Sequence, residues 1–76
     1  EDYNGPIAIK GLVTDADVKI TDVSGKLIYE TTALGGQVVW DGKGVDGDRA
    51  ATGVYFVFST DDTGKEKIAT KILMIN

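Results

Sequence analysis

The stretch Gly36-Gln37-Val38-Val39-Trp40-Asp41-Gly42-Lys43-Gly44-Val45-Asp46-Gly47-Asp48-Arg49-Ala50-Ala51-Thr52-Gly53-Val54-Tyr55-Phe56-Val57 decides how this chain is read. A short apolar run ends in the sole Trp, a loop dense in Gly and Asp follows, and a Thr-Gly step opens an aromatic, β-branched run. Aromatic and β-branched residues fit a pleated, half-buried surface, whereas Gly and Asp punctuate turns. The first run therefore reads as a strand, the middle as an ordered loop and the last as a central strand. That last strand, residues 53–60, is apolar at both parities, which predicts neighbours on both sides and cover on both faces.

Working outward, Ile7-Ala8-Ile9-Lys10 reads as a strand opened by Gly5-Pro6, with Leu12-Val13 extending it or forming a short strand of its own. Asp17-Val18-Lys19-Ile20-Thr21 alternates with period two, so Val18 and Ile20 should face the core. Asp22-Val23-Ser24-Gly25 is a turn, with Asp and Ser bonding local backbone, and residues 26–32 return as the hairpin partner. Residues 33–36 break the pattern, and Gln37-Val38-Val39-Trp40 is a short strand. Asp61-Asp62-Thr63-Gly64-Lys65 is a second Asp-led turn before residues 66–75, which read as a last strand or as a strand pair with a kink. No 3.6-residue stripe persists over three turns, so the expected fold is all-β: six or seven short strands joined by turns, a pattern that fits a β-sandwich.

Seventy-six residues allow one small domain, with a stability of roughly 4–11 kcal/mol at the usual contribution per residue. Eight basic against twelve acidic residues give a net charge of −4, which disfavours nucleic acid and anionic membrane surfaces as partners. With no Cys the sandwich must hold by packing alone, and with no His the commonest general base is missing. No stretch approaches the roughly 20 apolar residues of a membrane span. Residues 1–6 lack an initiator Met and read as a linker from an upstream domain, leaving 7–76 as the sandwich and the whole as an expected piece of a longer protein.

The sharpest candidate for chemistry is the acidic loop. Asp41, Asp46 and Asp48 lie among Gly42, Gly44 and Gly47, and short Asp/Gly loops can hold calcium. The EF-hand spacing fails, because Lys43 and Val45 occupy the third and fifth positions from Asp41 and no Glu closes the loop. The competing reading is that Asp41 caps its own loop's backbone while the glycines take positive φ. Trp40 either plugs the sandwich or stands exposed as a sugar platform; Tyr29 and Tyr55 should bury their rings. Ser24 and Ser59 lack a base, and Asp61 and Asp62 read as solvated turn formers. Lys65, Lys67 and Lys71 alternate on one face of the last strand, either as a docking patch or as charges that stop an edge strand from pairing with other chains.

These residues resemble a known family. Val18-Lys19-Ile20-Thr21-Asp22-Val23-Ser24-Gly25-Lys26-Leu27-Ile28-Tyr29 resembles the hairpin of the C-terminal sorting domains of type IX secretion cargo in Bacteroidetes. Trp40-Asp41-Gly42, then Gly47 and Thr52-Gly53-Val54-Tyr55, resembles the related Ig-like domain of the flagellar hook-capping protein. Thr70-Lys71-Ile72-Leu73-Met74-Ile75-Asn76 resembles the basic-then-apolar terminus of the same sorting domains. The chain as a whole is similar to the terminal domain that follows β-propellers in PorZ-like and regulator-propeller surface proteins.

The resemblance implies an all-β, Ig-like β-sandwich of about six or seven antiparallel strands that serves as a non-catalytic sorting or docking module, exported through the periplasm to the cell surface or outer membrane. Its partner would be the secretion machinery or an attachment-complex protein, with lipopolysaccharide a further candidate, and no cofactor is expected. Lys71, Ile72, Leu73, Met74 and Ile75 are the expected docking residues, because an edge strand can accept a partner by β-augmentation. Trp40, Asp41, Gly42, Gly53 and Tyr55 are expected to hold the fold. Two other readings stay open: a carbohydrate-binding module using the 41–52 loop and an exposed Trp40, and a passive spacer beside a periplasmic sensor propeller.

Overall fold

Period-two alternation carries into the strands around the core. The computed structural model describes residues 2–3 and 6–75. These form seven strands: β1 (Asp2–Tyr3), β2 (Ile7–Ile9), β3 (Asp17–Asp22), β4 (Leu27–Thr32), β5 (Val38–Trp40), β6 (Gly53–Thr60) and β7 (Glu66–Met74). One sheet runs in the order β1-β7-β6-β3-β4, and β2-β5 forms a second. The chain is an all-β, Ig-like sandwich, and among the described residues no helix is long and apolar enough to cross a membrane. Every pairing is antiparallel except that of β1, which adds parallel to β7 through Asp2 opposite Leu73 and Tyr3 opposite Met74. Of the segment read as a linker, Glu1, Asn4 and Gly5 lie outside the described residues, as does Asn76.

Inward positions follow the predicted parity. Val18 and Ile20 are fully buried on β3, opposite Ser59 and Val57 of β6. Tyr55 and Val57 face the same way, and Ile72 and Met74 of β7 complete that side. The two-stranded sheet covers this face with Ile7, Ile9, Val38 and Trp40. The expectation that β6 is covered on both faces is corrected. Val54, Phe56 and Phe58 on its other face are only half-buried, because the sandwich has two layers and the second lies on one side. Leu12-Val13 forms no strand; the Leu12 N–H instead donates to the Gly36 carbonyl at 2.9 Å, tying the chain to the 33–36 turn.

Two hairpins use one turn chemistry. Asp22 Oδ1 accepts hydrogen bonds from the Ser24 N–H (2.9 Å), the Ser24 hydroxyl (2.6 Å) and the Lys26 N–H (3.0 Å). Asp61 Oδ1 accepts the matching set from Thr63 N–H (2.9 Å), Thr63 hydroxyl (2.6 Å) and Lys65 N–H (3.0 Å). The shared pattern Asp-x-Ser/Thr-Gly-Lys thus sets the register of β3 with β4 and of β6 with β7. The Ser24 and Thr63 hydroxyls are the largest of the influences that hold these two carboxyls below their usual range, with the backbone N–H groups adding to them.

Trp40 fastens the sheets together. Its indole is fully buried, its Nε1–H donates to the Lys43 carbonyl at 2.8 Å, and its ring meets Tyr55 edge-on with centroids 5.9 Å apart. The Tyr55 hydroxyl donates to the Ala51 carbonyl at 2.6 Å, the arrangement of a tyrosine corner. Burial, and after it the charge of Asp22, raise the Tyr55 phenol above its ordinary value.

Two outcomes follow from these contacts. Trp40 emission should be blue-shifted and resist aqueous quenchers, and Trp40→Phe should lower unfolding free energy by about 1–3 kcal/mol, measured by urea denaturation followed by circular dichroism. Because the Asp22 and Asp61 carboxyls are depressed in the folded state, their contribution is present above the ordinary carboxylate range and lost as pH falls through the folded values. The double variant Asp22→Ala/Asp61→Ala should therefore be less stable than the natural chain at neutral pH, and the gap should narrow on acidification.

Candidate docking surface

The terminal strand presents two kinds of side chain. Ile72 and Met74 are core residues, 2% and 1% exposed. Lys71, Leu73 and Ile75 alternate with them and are exposed. Of the five expected docking residues, only these three offer side chains to a partner. The backbone is divided as well. Leu73 and Met74 already pair with β1, so among the described residues the unpaired edge of β7 runs from Glu66 to Ile72, largely upstream of residues 71–75. The signal for this was faint: a two-residue strand carries no periodicity.

A bulge changes the lysine pattern. The register of β6 with β7 shifts between Val57 and Phe58, so that Phe56 faces Lys71 while Ser59 faces Lys67. Ser59 is buried on the inner side and Phe56 lies on the outer, so Lys67 and Lys71 stand on opposite faces, not on one. On the outer face Lys19 reaches Glu66 at 3.2 Å and Asp17 at 3.9 Å. The Glu66 hydrogen bond and charge hold the Lys19 ammonium above its ordinary value. Beside it, a hydrogen bond with Asp17 and then Asp17's charge raise the Glu30 carboxyl.

The β6–β7 hairpin runs on past the two-stranded sheet. Thr70 stands opposite the fully buried Val57 yet is itself exposed. There an open groove of about 420 Å³ separates the hairpin from the 9–13 segment that leaves β2. Its walls include Leu12 and Val13 on one side and Ile68 and Thr70 on the other, with Lys10 and Lys67 facing across it.

The acidic loop is built for its own backbone. Asp41 Oδ1 accepts the Lys43 N–H and Asp46 Oδ1 the Asp48 N–H, both at 3.0 Å. The Gly44 N–H donates to the Asp48 carbonyl and the Ala50 N–H to the Gly42 carbonyl, folding the loop into a small hairpin with Lys43 bridged to Arg49. The Val45 N–H docks it on the Ile28 carbonyl of β4 at 2.9 Å. Among the described residues no group of three or more carboxylates could hold a metal ion, so Asp41, Asp46 and Asp48 do not converge. Gly42 and Gly47 take positive φ as expected, but Gly44 does not. Gly44 serves close approach instead, since a Cβ there would meet Asp46 Oδ1 at 3.1 Å and the Ile28 carbonyl at 3.3 Å. Gly42 lies against Met74, with a Cβ site 3.4 Å from the Met74 methyl. Gly53, at the head of β6, pairs with Met74. Trp40 is sealed in the core, so it offers no platform for a sugar ring.

No protein-family model matches this chain, and no curated protein matches it. Among solved structures the chain is similar to PorZ of Porphyromonas gingivalis, described as an essential bacterial surface component of the type IX secretion system. The likeness has 35% identity and a TM-score of 0.76 over 97% of this chain. The chain spans 11% of the length of that protein.

The division of the last strand is open to a direct check. Ile72→Ala and Met74→Ala should each lower stability by about 2–5 kcal/mol. Lys71→Ala and Leu73→Ala should stay within roughly 1 kcal/mol of the natural chain in the same urea titration.

Proposed function

We propose that this domain is a non-catalytic sorting or docking module of a protein carried by, or belonging to, the type IX secretion machinery, working at the cell surface. The likeness to PorZ over nearly the whole chain is the observation that carries this reading. At 35% identity the two share more than a sandwich architecture, and the role printed for PorZ is one of secretion.

The chemistry of the described residues supports a binding role. The carboxylates Asp22, Asp41, Asp46 and Asp61 each accept hydrogen bonds from neighbouring backbone. The interior is filled by Trp40 and its neighbours. What the domain offers is its margin: the open edge of β7, the exposed Lys71, Leu73 and Ile75, and the groove beside them. A strand edge recognises a partner through backbone hydrogen bonds and needs no catalytic constellation.

The test is deletion of residues 7–75 from the protein as its own cell makes it, reading surface exposure by protease accessibility together with secretion of other type IX cargo. The expected result is loss of surface assembly, or a general failure of secretion if the protein belongs to the machinery. A protein that reaches the surface unchanged, in cells that secrete normally, would make the domain a passive spacer and end this reading.

A further inference from the structure

We propose that the open edge of β7 over residues 66–72, with the groove beside it, takes an acidic extended segment of a partner protein as an added strand. This rests on the docking reading and deepens it by naming the site and the chemistry of its occupant. Three observations converge.

The first is backbone supply. Among the described residues nothing pairs with residues 66–72 on the side away from β6, while β1 already occupies the same edge at Leu73 and Met74. The chain itself thus shows that this edge accepts a strand at Leu73 and Met74. Seven residues at about 3.3 Å each give it roughly 20 Å of ladder.

The second is charge. The chain carries a net −4, yet Lys10 and Lys67 line the groove, and Lys71 stands on the other face of the same edge strand. The groove is lined by Lys10 and Lys67 and by no carboxylate. The acid on this strand, Glu66, is held on the outer face by Lys19 at 3.2 Å. An acidic strand meets attraction here.

The third is what the lysines exclude. Pairing β7 of one copy with β7 of another would set lysine against lysine along a bulged edge, which is how sheet proteins resist self-association. Edge protection by itself leaves two features unused. Lys10 lies across the groove from the strand, and Ile68 is left 58% exposed beside it. The same charges that reject a second copy select an acidic partner.

The probe is a fluorescein-labelled eight-residue peptide alternating Val with Asp, compared with one alternating Val with Lys, titrated onto the chain with anisotropy as readout. The acidic peptide should bind, weaken as salt rises, and move amide resonances concentrated at residues 66–72. Lys10→Glu/Lys67→Glu should weaken it by roughly tenfold while Trp40 emission, a check of the fold, stays in place. Equal binding of both peptides, no binding of either, or resonance changes elsewhere would overturn the site. So would a double variant that self-associates but keeps its peptide affinity, since the lysines would then only guard the edge. In the cell, loss of assembly on deleting the domain but not in the double variant would leave the docking reading standing and remove this site. If the deletion itself has no effect, the docking reading falls and the titration alone decides the edge.

Discussion

A single indole holds two unequal sheets together. The smaller sheet has three residues in each strand, and a two-stranded ribbon of that size is at best marginal in water. Trp40 ends the second of those strands and buries its ring against Tyr55 of the larger sheet. Its N–H bonds the Lys43 carbonyl, which fixes the start of the acidic loop. That loop in turn rests on β4 through Val45 and Ile28. One side chain therefore joins the layers, sets the exit of β5 and places the loop that covers part of an edge.

With the interior filled in this way, the molecule's remaining freedom lies at its strand edges, and these are managed unequally. The β4 edge is met by the loop at Ile28. The β7 edge is met by β1 for two residues and is then left to a bulge and lysines. An exposed edge with no such devices would be a template for aggregation. The unequal treatment leaves one margin where backbone, groove and positive charge coincide.

Much of this fold was legible in the residues. Alternation in residues 17–21 placed Val18 and Ile20 inside, and Asp22 and Asp61 marked two turns by their ability to bond backbone, whereas of the two readings of Trp40 only its burial selects the core plug. What failed to show was whatever depended on partners distant in sequence. β1 is two residues long, and its parallel pairing with Leu73 and Met74 leaves no local trace. The bulge opposite Val57 and Phe58 inverts the face of Lys67 relative to Lys71, and period-two counting assumes that no residue is inserted. The apolar alternate face of β6 suggested cover on both sides, but hydrophobicity alone cannot tell a covered face from a half-buried one at Phe56 and Phe58. The candidate site was harder to read than the core for the same reason: an open edge is defined by which strand is missing beside it.

That distinction bears on how a module of this kind can change partners without changing fold. Ile72 and Met74 are fixed by the core, so substitution there is limited by packing. Lys67, Ile68, Lys71 and Leu73 alternate with or precede them on the same strand and are free of that constraint. One strand thus carries a packing demand at Ile72 and Met74 and an adjustable exposed surface at its other positions, while its backbone offers the same hydrogen-bonding groups whatever the side chains. Affinity from the backbone and selectivity from charge are then separable. Under the proposed docking role, a handful of lysines sets which partner is accepted, provided that the indole keeps the two layers in place.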